Sequence, residues 1–192
     1  MAQIKINTPK KFNNRKVDLL ALIEKYNPVL ILEQTTKREL DAEKIVLRHK
    51  PLKYEARFKD NIIYVDFHNS VNYIWLCLSH ELAHIILRDP LWHQKEQIKK
   101  ILNKQKGVFS KYKYNFSYAI EQTLAILLQM VCENKAHLRK MNWDTWEDTF
   151  DCMGVKDFGK KLWKPWLNYL ANQSSYKNID EWILEILQKY YK

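Results

Sequence analysis

Residues 79–86 read Ser-His-Glu-Leu-Ala-His-Ile-Ile, and they decide how the rest of the chain is interpreted. His80, Glu81 and His84 form the pattern HExxH. Two residues four positions apart on a helix lie on one face, about 5–6 Å from each other. Two imidazoles placed in this way can bind one zinc ion. Glu81 then lies beside the metal, where it can act as a general base towards a water molecule that the metal activates.

The surroundings of this motif are apolar. The sequence predicts a helix from about Ser70 to Leu87 with apolar residues on nearly every side, which is typical of a buried helix. Three ionisable groups in such a helix cost several kcal/mol each unless they have partners. A metal ion would supply those partners. The alternative is a pair of core histidines bonded to backbone groups, with Glu81 in a salt bridge.

A catalytic zinc ion needs a third protein ligand and an open position. Glu121 is the preferred candidate, because a carboxylate on an apolar helix face calls for a cation. That face also carries Tyr118, Leu124, Ala125 and Leu128. Alternatively, Glu121 interacts with the helix dipole in the first turn. Glu133 is a weaker rival, and His93 is disfavoured because it follows a proline.

Several other residues are candidates for supporting roles. A donor to the developing oxyanion is expected from Tyr118, with Tyr112, Tyr114 and His93 as open alternatives. Carboxylates that orient the imidazoles are expected at Asp66 and Glu133. A peptide substrate is expected to add a strand to the edge of a sheet, with residues 62–66 as the candidate edge.

The predicted fold class is α+β, with a small N-terminal antiparallel sheet and a helical majority. The expected strands are residues 52–58 and 62–67, joined by a turn at 59–61. Residues 29–32 suit either a strand or a helix. Helices are predicted at 14–26, 38–47, 70–87, 96–106, 117–135, 144–153, 158–172 and 178–190.

Length and composition favour a single globular unit. The chain has 192 residues, of which 46% are apolar and 28% are charged. No apolar run approaches the ~18–20 residues of a membrane span, and no signal peptide is evident. The three cysteines are far apart and include no CxxC pair, which suits a reducing compartment. The sequence therefore predicts a cytoplasmic protein without a membrane segment.

The net charge of +10 is unevenly distributed. Residues 95–113 contain seven lysines and one glutamate. A solvated basic helix is the simpler explanation of this segment, and a polyanion site is the alternative. Arginine, which is the usual reader of guanine edges, is scarce, so a nucleic-acid partner is disfavoured.

The stretch Asn61-Ile-Ile-Tyr-Val-Asp66, followed by residues 76–87 around HExxH, resembles the zinc metallopeptidase domain of the ImmA/IrrE family. The resemblance covers about residues 15–135. It implies a gluzincin-like (zincin) fold with two His and one Glu on zinc, and the pair Glu121 and Ala125 matches the family's later helix. Ala83 stands where the family usually has Gly. Family members typically occur in bacteria, prophages and mobile elements, and several cleave a helix-turn-helix repressor.

These observations divide the chain into residues 1–135, a metallopeptidase-like part, and residues 136–192, a helical extension packed on it. The expected function is that of a Zn²⁺-dependent endopeptidase acting on a regulatory protein, with a transcriptional repressor as the candidate substrate. His80, His84 and Glu121 are the expected metal ligands, and Glu81 and Tyr118 are the expected catalytic residues. The alternative is a non-catalytic, metal-containing interaction protein whose basic helix binds a protein or a nucleic acid.

Overall fold

The computed structural model describes residues 3–40, 44–51, 56–88, 98, 100–101, 104 and 115–191. These residues form one small sheet and a majority of helices, so the predicted α+β class is confirmed. The strands are β1 (Gln3–Asn7), β2 (Lys44–His49), β3 (Arg57–Lys59) and β4 (Ile62–Val65). The helices are α1 (Asn13–Lys25), α2 (Pro28–Thr36), α3 (Val71–Arg88), α4 (Phe116–Lys135), α5 (Trp143–Cys152), α6 (Lys156–Ala171) and α7 (Ile179–Tyr191).

The prediction of an antiparallel sheet is wrong for most of the sheet. The strand order is β1-β2-β4-β3, and both the β1–β2 and β2–β4 pairs are parallel. Parallel neighbours need a long crossover, and α1 and α2 supply it between β1 and β2. Only the β3–β4 hairpin is antiparallel, and Asp60 and Asn61 form its turn with positive φ angles of 52° and 59°.

Two strands were not recognised in the sequence. β1 was not predicted, and the helix expected at 38–47 is wrong because residues 44–49 form β2. Ile45 and Leu47 are both fully buried, and they share one face of the strand because side chains alternate along it. Burial of this period-two pattern in the sheet therefore outweighs the local helical preference of the segment.

The helices that carry the predicted site lie where they were expected. The helix α3 agrees with the prediction of 70–87, and α4 agrees with that of 117–135. The side chain of Asn115 caps α4 by accepting a hydrogen bond of 2.8 Å from the backbone N–H of Tyr118. The ambiguous residues 29–32 belong to α2, which Asn27 caps in the same way.

The two long helices α3 and α4 pack closely on each other. α3 also contacts α1, α2 and β4, so it is enclosed from several directions. Its buried residues are Ile74, Trp75, Cys77, Leu78, Ser79, Leu82, Ala83, Ile86 and Leu87. The expectation of a buried HExxH helix is therefore confirmed, and any polar group on its inner face is bonded within the protein or to a ligand.

The C-terminal helices share a hydrophobic core with the first part of the chain. The Tyr169 hydroxyl donates a 2.7 Å hydrogen bond to the Thr35 carbonyl at the end of α2. Arg38 forms a 2.5 Å ion pair with the buried carboxylate of Asp180 in α7. Trp146, Trp166 and Trp182 are buried, so these tryptophans serve as core residues.

Most of the basic segment 95–113 lies outside the described residues. Residues 98, 100, 101 and 104 are described, and all four are helical. Ile98 and Ile101 are buried, whereas Lys100 and Lys104 are exposed. Within the described ranges, no helix combines the length and the apolar character needed to cross a bilayer.

A close contact between α5 and α6 gives a test of the fold. A Cβ atom added to the buried Gly159 would lie 2.5 Å from Cδ1 of Phe150. Ala is favoured over Gly in a helix by about 1 kcal/mol, whereas overpacking costs about 1–3 kcal/mol. We therefore expect Gly159→Ala to lower the free energy of unfolding by up to about 2 kcal/mol in urea titrations.

The control is the same substitution in a Phe150→Leu background, where the ring is gone and the loss should be smaller. A stabilising effect of Gly159→Ala in the wild-type background would show that α5 and α6 are not packed as described.

Candidate metal centre

The imidazoles of His80 and His84 converge on one point between them. Their ring centroids are 4.8 Å apart, and the ring planes are nearly perpendicular. The two Nε2 atoms are separated by 3.2 Å. The sequence predicted that both rings would lie on one face of α3. In the structure, Nε2 of His80 faces Nε2 of His84.

The opposite edge of the His80 ring contacts a buried amide. His80 Nδ1 lies 2.8 Å from Oε1 of Gln129, whose Nε2 donates a 2.7 Å hydrogen bond to Oε1 of Glu133. An amide oxygen only accepts hydrogen bonds, so His80 Nδ1 carries the proton and Nε2 keeps its lone pair. The amide Nε2 of Gln122 lies 3.0 Å from this lone pair, as a donor should.

The ring of His84 is held by a carboxylate. His84 Nδ1 lies 2.8 Å from Oε1 of Glu121. Because a carboxylate accepts the hydrogen bond, Nδ1 is again the protonated nitrogen. A carboxylate on the far side of an imidazole is the arrangement that orients histidines at many zinc sites. Both rings are thus fixed by partners that accept the proton of Nδ1, so in the neutral form of each ring the lone pair is on Nε2.

The distance between the two Nε2 atoms fits a zinc ion. With Zn–N bonds of about 2.0–2.1 Å, a separation of 3.2 Å gives an N–Zn–N angle of about 100–106°, close to tetrahedral. Two lone pairs facing each other at this distance repel unless a cation or a proton lies between them. Burial, and then the charge of His84, lower the pKa of His80 to about 3, so its ring is neutral at physiological pH. A neutral imidazole is the form that binds a metal.

Glu81 lies at an open pocket next to the histidine pair. The pocket has a volume of about 70 Å³, and His80, Glu81 and Gln129 are its polar lining residues together with Tyr73 and Thr149. Glu81 is half-buried, so its carboxylate is accessible from the pocket. Glu81, the expected general base, therefore lies at the same pocket as His80, one of the expected metal ligands.

Other expected site residues lie elsewhere. Tyr118 is in the first turn of α4, is 39% exposed and is not among the described residues that line this pocket. Tyr112, Tyr114 and His93 lie outside the described residues. Glu121 contacts His84 at Nδ1, on the ring edge opposite Nε2, so its role as a third ligand stays a prediction.

Two glutamines of the site were not recognised in the sequence. Gln122 and Gln129 lie seven positions apart on α4, and Glu133 follows four positions later, so all three share one helix face. All three are at most 4% exposed. A stripe of buried polar residues on an otherwise apolar helix was the available signal, because each of them requires a partner.

A second group of potential ligands lies at the end of β2 and just beyond the end of β4. It consists of His49, Asp66 and His68, whose ligand atoms all lie within 4.8 Å of one another. Among the described residues, it is the one group of three His, Cys, Asp or Glu side chains that is this tight. Asp66 bonds the ring of His68 at 2.8 Å, and the expectation that it orients the HExxH histidines is not supported by any described contact.

The hydrogen bonds of His49 weaken this second group as a metal site. The Phe67 N–H donates a 3.1 Å hydrogen bond to His49 Nδ1. In the neutral ring the proton is then on Nε2, so a metal ion would have to displace a proton or break this bond. At the pair His80–His84 both Nδ1 atoms face acceptors, so neither ring would have to move a proton, and a metal ion between the Nε2 atoms would displace the hydrogen bond from Gln122.

Comparisons with known proteins give no match: no protein-family model fits the chain, and no curated protein or solved structure is similar to it. The function of the histidine pair is therefore inferred from the contacts that it makes in this structure.

The zinc content of two double variants distinguishes between the two histidine groups as the metal site. We expect the double variant His80→Ala/His84→Ala to lose zinc, measured by elemental analysis of purified protein after dialysis. The matched control is His49→Ala/His68→Ala, which should retain about one zinc per chain. The reverse result would move the metal site to the second group.

A variant of Glu121 tests whether this residue binds zinc directly or only orients His84. A residue that only orients His84 should lower zinc affinity about 10–100-fold when it is replaced. A direct ligand should be needed for stoichiometric binding. Zinc titration of Glu121→Gln therefore separates the two roles.

The buried Glu133 predicts a pH dependence of stability. Burial raises its pKa from the ordinary 4.5 to about 7, against the opposing effects of the Gln129 hydrogen bond and the charge of Arg139. A carboxyl group whose pKa is higher in the folded chain costs stability as the pH rises above 4.5, and the cost is complete above about 7. At about 1.4 kcal/mol per pKa unit, the full cost is about 2–4 kcal/mol.

We therefore expect Glu133→Gln to be more stable than wild type at pH 8 and equal to it near pH 4, in urea unfolding with a chelator present. Glu24→Gln, at an exposed position of α1, is the control and should show no such trend. A pH-independent difference for Glu133→Gln would mean that Glu133 is ionised in the folded chain.

Proposed function

We propose that the protein is a zinc-dependent endopeptidase that cleaves a peptide bond in a regulatory protein. The observation that carries the proposal is the convergence of the two Nε2 lone pairs at 3.2 Å, with both Nδ1 protons directed to acceptors. Imidazole nitrogen is one of the ligands that zinc takes in proteins. The resemblance to ImmA/IrrE metallopeptidases supports a zincin-like fold and a helix-turn-helix repressor as the substrate class.

The roles of the residues follow from their positions. His80 and His84 would hold the ion, and zinc bound there would supply a Lewis acid that polarises a carbonyl group and acidifies water. Glu81 lines the same pocket as His80, so its carboxylate can accept a proton from the attacking water and pass it to the leaving amine. Glu121, Gln129 and Glu133 keep the two imidazoles in one orientation.

The sheet offers an edge for an extended substrate, although not the predicted one. β4 pairs with β2 on one side and with β3 on the other, so residues 62–66 are not an edge. β3 is the terminal strand of the sheet, and within the described residues its outer side is unpaired. Ala56, which directly precedes β3, lines the pocket beside Glu81. A peptide that pairs with β3 would therefore pass the pocket.

A non-catalytic interaction protein is the second candidate. The exposed Lys100 and Lys104 support a basic surface, which suits an acidic partner. A purely structural metal site is closed and has no use for a carboxylate at an open pocket next to it. The position of Glu81 therefore favours the enzyme.

Replacing Glu81 separates the two candidates. We expect Glu81→Gln to bind zinc like wild type but to lose at least about 10²-fold in the rate of peptide hydrolysis, because the general base is gone. The assay is mass spectrometry of a proteome-derived peptide mixture, with Glu24→Gln as the control glutamate. Undiminished cleavage by Glu81→Gln would exclude its role as base, and a zinc-loaded wild type that cleaves nothing would favour the interaction protein.

A further inference from the structure

The pocket beside Glu81 has one wall from the C-terminal helical region. Leu76 and Cys77 of α3 and Ile126 of α4 form its apolar side. Thr149 of α5 and Met153, which directly follows that helix, form another wall of the pocket. His80 and Glu81 line the same pocket, so a group bound there lies beside the proposed general base and one of the two proposed metal-binding histidines.

We propose that this pocket binds an aliphatic side chain of the substrate next to the cleaved bond, and that Met153 sets the size of the side chain it accepts. This inference rests on the proposed endopeptidase function. The lining is mainly apolar, so an apolar group gains by leaving water there, whereas a charged group would lose its hydration.

The size of the pocket selects among apolar groups. Its volume is about 70 Å³. An enclosed cavity of about 150 Å³ is known to hold benzene, so we expect this smaller pocket to favour an aliphatic group over an aromatic ring. The half-buried thioether of Met153 is the longest flexible side chain of the α5 wall, and its removal enlarges the space directly.

The α5 wall is held in place by Arg139. Its Nη1 donates a 3.0 Å hydrogen bond to Oγ1 of Thr149, and its Nη2 donates to the carbonyl of Thr145. The guanidinium also lies over the ring of Trp146, 4.0 Å from its centroid. The backbone N–H of Met153 is bonded to the carbonyl of Thr149 at 3.0 Å. The wall is therefore a fixed boundary, which a size filter requires.

The test compares the cleavage sites of full-length, zinc-loaded variants on one proteome-derived peptide mixture. For wild type we expect Val, Leu or Ile to exceed Phe and Trp by at least about tenfold at one position flanking the cleaved bond. Met153→Ala should raise cleavage at Phe about tenfold relative to Val, and Met153→Phe should shift the preference to Ala. Met141→Ala, a methionine that does not line the pocket, is the matched control and should keep the wild-type preference.

The outcomes separate this inference from the proposed function. A wild type that cleaves no peptide overturns both. A wild type that cleaves without side-chain preference at either flanking position, or Met153 variants that retain the wild-type preference, overturns only the role of the pocket. The two variants act in opposite directions, so the test stays decisive if one of them fails to fold.

Discussion

Two imidazole nitrogens, Nε2 of His80 and Nε2 of His84, face each other 3.2 Å apart on a largely apolar helix. This contact is unfavourable unless a cation or a proton lies between the two rings. The neighbouring residues must therefore hold both rings in this orientation. The neighbouring helix α4 supplies a carboxylate, Glu121, and an amide, Gln129, that fix both rings from behind. The site therefore requires α3 to pack on α4, because α3 carries the two histidines and α4 carries the side chains that orient them.

The same packing explains the buried polar groups of α4. Gln129 lies between His80 and Glu133. Its amide oxygen accepts a hydrogen bond from His80, and its amide nitrogen donates one to Glu133. Burial of Glu133 is tolerated because its raised pKa of about 7 reduces the charge that must be desolvated. The helical region beyond residue 135 then completes the site, because Arg139 ties α5 to the end of α4 and thereby places Thr149 and Met153 at the pocket.

The sequence predicted those features that depend on local spacing. His80, Glu81 and His84 lie on one helix face because i and i+4 positions do so in any helix, and burial of α3 followed from its composition. A carboxylate on an apolar stripe calls for a partner, and this pointed to Glu121, although the atom that it contacts was not predictable. The parallel pairing of β1 with β2, the contact of Gln129 with His80 and the wall at Met153 depend on contacts between residues far apart in the chain. No local pattern of one sequence records such contacts.

The most direct test is a crystal structure of the zinc-loaded protein with anomalous diffraction measured at the zinc absorption edge. We expect one strong anomalous peak about 2.0–2.1 Å from Nε2 of both His80 and His84, with Nδ1 of each ring still bonded to its partner on α4. A peak only at His49, Asp66 and His68, or rings that turn away from each other with no peak between them, would contradict it.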